Sequence, residues 1–155
     1  MAQTNGASKG TSLALPLTEP TADAAALQRQ AAGVVVEADN ARLVGRFYQR
    51  VRADDLLGPI FARHIGPRPE DWEGHLPRME AFWSTVVLHS GRYAGRPMEA
   101  HRALAAAGEE LTGAHFERWL SLWREAVTEA IHPDGRAAFM LAARRMAGSI
   151  RARLN

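Results

Sequence analysis

Cysteine is absent from the 155 residues. That excludes disulfide staples, thiolate nucleophiles and thiolate metal centres. Lysine is nearly absent: Lys9 is the sole lysine among 19 basic residues, which face 17 acidic ones for a net charge of +2. The arginines are interleaved with acids and form no block of like charge, so a dedicated nucleic-acid face is not expected. No apolar run approaches the ~20 residues of a membrane span. The N-terminal "LALPL" is too broken, and too poorly charged in front, for a signal peptide. No segment alternates with the period of a strand, and no internal repeat occurs. What remains is 46% apolar and 23% charged. It reads as a single all-α domain with a real core, expected in the cytoplasm, without nucleic-acid or membrane partners.

Residues 1–37 read as a disordered tail followed by a weak N-terminal helix. The first twenty are rich in small residues, Gly, Thr and Pro. "ADAAALQRQAA" favours a helix, but Gly33 and the β-branched Val34–Val36 weaken its second half. The patterning sharpens over 38–155. Asp39 can cap a helix to about Ala53 with Leu43, Val44, Phe47, Tyr48 and Val51 on one face. "LLGPIF" is a turn followed by a short apolar turn. Pro69, Glu70 and Asp71 start a helix predicted to run to about Ser90, with Trp72, His75, Met79, Phe82 and Val86 in one stripe. The Gly-Arg-Pro-rich loop 91–97 delivers a short helix carrying Met98 and His101. Thr112 can cap the next helix, with Phe116, Trp119, Leu120, Trp123 and Val127 inward. Pro133-Asp134 opens the last one, with Phe139, Met140, Ala143, Met146, Ala147 and Ile150 inward.

Three residues with polar tips interrupt these stripes on three different helices: Tyr48, His75 and Trp119. Each alone is ordinarily a core residue whose polar atom finds a local partner. Their convergence, with His101 from a fourth helix, suits a small polar ligand in an apolar cavity. A protein-ligated metal is the competing reading. However, no H-x-x-H or H-E-x-x-H pair occurs, and no carboxylate lies on the inner stripes beside His75. One axial histidine without companions fits a haem iron better, because the porphyrin supplies the other four nitrogens.

The chain resembles the group III truncated haemoglobins, small globins with a two-over-two helical arrangement. The matching segments are "FYQRVRADDLLGPIF" (47–61), "WEGHLPRMEAFWSTVVLHSGRYAGRPMEAH" (72–101), "HFERWLSLW" (115–123) and the closing "AARRMAGSI". Together they span roughly 38–152, with the H-x-P-x-M-x-x-FW, SGRY-x-G-x-PM-x-x-H and RWL-x-LW stretches in order. The resemblance implies a truncated globin domain over 38–155 around haem b, held without C-x-x-C-H attachment. It implies His101 as the proximal iron ligand, and Tyr48, His75 and Trp119 as distal residues. Phe61 is then a haem-packing phenylalanine, with Met79, Phe82 and Met98 completing the apolar lining. Arg96, among the arginines of 92–102, is the candidate for a propionate, and a solvated surface arginine is the plain alternative.

The implied function is reversible binding of O₂, and also CO and NO, at a pentacoordinate His-ligated iron. The alternative is a haem enzyme, an NO dioxygenase or peroxidase-like, that draws electrons from an external reductase. One departure stands out. "AHRALAAAGEELTGAHF" makes the connection after His101 a few residues longer than is usual in the family, so either the proximal helix extends or the loop bulges.

Overall fold

The computed structural model describes residues 22–96, 101–103 and 106–154. The sequence reading of residues 1–21, and of Met98, falls outside them. Among the described residues the bounded helices are α1 (Ala22–Val34), α2 (Glu37–Ala53), α3 (Gly58–His64), α4 (Pro69–Trp72), α5 (His75–Leu88), α6 (Gly113–Ala130) and α7 (Pro133–Leu154). No strand occurs among the described residues. The α2–α5 pair lies on the α6–α7 pair, with the closest layer contact between α2 and α6.

α2 is the centre of this packing because its apolar positions recur at helical spacing. Leu43, Val44, Phe47 and Val51 are all fully buried. It starts two residues before the expected cap. Val36 is the extended residue, and Asp39 sits one turn inside, its carboxylate accepting the Val36 amide at 3.1 Å. The helix stops where Asp54 turns extended, with Arg50 and Arg52 in its last turn. Trp123 of α6 fills the space between the layers. Its ring lies 5.0 Å from Phe47 and 4.2 Å from Trp83, and its indole donates to the Phe139 carbonyl of α7 at 3.1 Å.

Three element boundaries differ from the periodicity reading. The helix expected from Pro69 to about Ser90 is divided at Glu73–Gly74 and ends at Leu88, because His89 takes a left-handed conformation at φ 56°. α1 runs through Gly33 to Val34, and tertiary packing offsets its low propensity. Ala24, Ala31 and Val35 are buried, and Gln28 donates to the Val86 carbonyl of α5 at 3.0 Å. Residues 101–103 and 106 are helical, the Ala107 amide donates to the Ala103 carbonyl at 3.0 Å, and the chain turns at Gly108 with φ +87°. Residues 109–112 beyond the turn are not helical.

Candidate functional site

Tyr48, on the inner face of α2, lies among rings from three other helices. Its ring centre is 5.4 Å from Trp72, 5.4 Å from His75 and 6.1 Å from Phe61. Pro59 fits the first turn of α3, which places Phe61 over this cluster, stacked on Trp72 at 6.2 Å. Trp72 is locked by a 3.1 Å bond from its indole to the Gly66 carbonyl.

The polar atoms of this cluster are largely unspent. Among the described residues nothing accepts from the Tyr48 hydroxyl, and burial alone pushes its pKa well above the ordinary phenol value. His75 Nε2 is buried without a partner. Burial, and secondarily the nearby Arg78 charge, push the pKa of His75 down to about 4, so the ring is neutral at physiological pH. A buried donor or acceptor left without a partner is costly, and an ordered water, an ion or a ligand ordinarily takes up the bond.

Trp119 enters from α6. It meets Phe47 edge-on at 5.5 Å, and Phe47 in turn meets Tyr48 at 5.0 Å, so Phe47 bridges the two polar residues. Of the four indoles, those of Trp72 and Trp123 are tied to backbone carbonyls, whereas no described residue accepts from Trp119 or Trp83. Met79 is half-buried against the core, and Phe82 is buried with its ring 5.2 Å from Tyr93. His101 lies half-buried on its helical turn. Arg96 is exposed. Arg92, another of the loop arginines, is bound to Glu37 at 2.7 Å.

Sequence reasoning missed several contributors. Tyr93 covers one flank against Phe82 and holds its amide on Thr85 Oγ1 at 3.0 Å. Asp54 accepts the amides of Leu56 and Leu57 at 3.1 and 2.9 Å, and Arg118 Nε at 2.6 Å. Burial pushes the Asp54 carboxyl up, but the amides and Arg118 outweigh it and the net shift is downward. It thereby braces the end of α2 to α6 one residue before Trp119. An Asp two and three residues before these amides is the turn signal that marks it.

A crevice of about 450 Å³ is lined by Tyr48 and Trp72 together with Gly45, Arg52, Ala62 and Leu76. Its lining does not include His75, Met79 or Trp119. No group of three or more His, Asp or Glu side chains able to hold a metal ion occurs among the described residues. No helix there is long and apolar enough to cross a membrane.

No protein-family model matches the chain. Over 87 residues, 56% of this chain, it is 38% identical to the group 3 truncated hemoglobin ctb of Campylobacter jejuni subsp. jejuni serotype O:2. That stretch spans 65% of the relative, a little under two thirds of its length. The fold superimposes on the crystal structure of the group III truncated hemoglobin from Campylobacter jejuni with a TM-score of 0.71 and 29% identity, covering 78% of this chain and 92% of that one.

Proposed function

We propose that the chain is a group III truncated haemoglobin, a b-type haem protein that reversibly binds O₂, and also CO and NO. The observation that carries this reading is the set of unspent proton donors on an otherwise apolar wall. These are the Tyr48 hydroxyl and the Trp119 indole, beside His75 Nε2, which is buried without a partner. The residues present fit the group: apolar surface from Phe61, Met79 and Phe82 on one side, and a single imidazole, His101, on the turn after the 89–96 loop.

When bound, haem supplies a ferrous iron with one position open to a diatomic gas. His101 is the residue that would hold the iron. Tyr48 and Trp119 serve as donors to a ligand that acquires negative charge on binding, and each such charge-assisted bond stabilises it by about 1.5–3 kcal/mol. His75 stays neutral at physiological pH, so it presents an imidazole rather than a fixed positive charge to the pocket.

Stopped-flow dissociation of O₂ and CO tests this. Tyr48→Phe and Trp119→Phe should each speed O₂ release roughly ten- to a hundredfold, and CO release much less, because CO draws little charge. The double variant should fall short of the product of the two, since both donors share one ligand. Equal changes for both gases would reduce these side chains to packing, and no change for either would overturn the donor reading.

A further inference from the structure

The connection after His101 ends in a turn that brings a carboxylate to another helix. Beyond the turn at Gly108, Glu109 reaches back to the C-terminal end of α3. Its carboxylate accepts Arg63 Nε at 2.7 Å and lies 3.0 Å from His64 Nε2, and the Glu109 side chain is only 14% exposed. Arg63 and His64 follow Phe61 on the same short helix. Leu111, two residues on, packs against the core, so the segment is seated as well as tethered.

We propose that Glu109, gripped by Arg63 and His64, is a strap that positions the segment carrying His101 against the helix carrying Phe61. In this role Glu109 is a positioning residue. It rests on the haem-binding reading above, in which the cofactor lies between the Phe61–His75 side and the His101 side. For the cofactor to leave, those two sides must part. The covalent loop 89–96 holds one side of His101, and the strap holds the other. The Arg63 hydrogen bond, with His64 adding to it, holds the Glu109 carboxyl well below the ordinary range, so the strap keeps its charge throughout neutral and mildly acid conditions. The other charged neighbour in the connection, Glu110, is exposed.

Three variants separate a strap from a surface ornament: Glu109→Gln, Arg63→Gln and Arg63→Lys. Two rates are read on the purified full chain. One is amide hydrogen exchange over residues 106–112. The other is haem transfer to excess apomyoglobin. The two neutral variants should raise both rates roughly two- to fivefold, the range of a single part-exposed ion pair. Combining them should add little to either alone. Arg63→Lys, which keeps the charge, should restore most of the parent behaviour, and about 1 M salt should bring the parent toward the neutral variants. In ferrous protein the iron–histidine stretching band should shift in Glu109→Gln and return in Arg63→Lys.

Parent-like rates in both neutral variants, or effects that multiply in the double, would overturn the strap. A chain that takes up no haem would instead overturn the gas-binding reading. The exchange arm would then still decide whether Glu109 fastens the segment.

Discussion

His75 is the residue whose chemistry depends most on the fold. In the unfolded chain its pKa is near 6.5, and in the folded chain burial and Arg78 push it down to about 4. Between those values the unfolded chain holds more protons, so the contribution of His75 to stability is complete above about pH 6.5 and is lost as pH falls toward 4. Urea midpoints taken from pH 7.5 to 4 should therefore decline more steeply for the parent than for His75→Gln, the difference amounting to at most about one proton taken up on unfolding. Parallel curves would show that His75 is solvated in the folded chain. Tyr48 and His75 are legible in the sequence because each interrupts an apolar stripe. Glu109 is not legible, because its partners lie 45 and 46 residues away and one sequence carries no sign of which charges meet. Trp72 and Trp83 were legible as core, but which indoles are tied to carbonyls depends on local turns such as the one that presents Gly66.

At the scale of elements, α7 holds two glycines with opposite surroundings. A Cβ on Gly135 would stand 2.6 Å from Val35 Cγ2 and 3.2 Å from Ile131 Cγ2, and Val35 is itself buried. A Cβ on Gly148 would meet nothing within 4 Å. Gly135→Ala should therefore destabilise by about 1–3 kcal/mol through overpacking at the α1–α2 junction. Gly148→Ala should stabilise by about 0.5–1 kcal/mol through helix propensity. Thermal unfolding of the two variants checks the sign directly, and a stabilised Gly135→Ala would mean the junction yields. The same junction explains where periodicity reads α1 poorly. Gly33 and Val34–Val36 lower helical propensity, yet Ala24, Ala31 and Val35 bury against the bundle, and packing decides. Interior helices were legible because apolar positions such as Leu43, Val44, Phe47 and Val51 recur at helical spacing. Their ends were less so, since Asp39 and Thr112 both work through neighbours: the Val36 amide goes to Asp39, and the Thr112 amide goes to His115 Nδ1 at 2.9 Å.

At the scale of the molecule, two helix pairs pack around a cluster of rings in which His75 Nε2 is buried without a partner among the described residues, and the segment beyond His101 ties itself to α3 through Glu109. The all-α class follows from helical spacing, whereas the two-over-two layering is expected from the resemblance. Haem is expected from a histidine without companion ligands, and then from the resemblance. The absorption spectrum of the purified chain, reduced under argon and then exposed to CO, addresses this most directly, in the parent and in His101→Ala. The account expects one haem per chain in the parent, with a sharp Soret band that moves on adding CO. It expects that His101→Ala binds haem loosely and regains a parent-like ferrous band when free imidazole is added. A His101→Ala spectrum indistinguishable from the parent's, or a parent that takes up no haem, would contradict it.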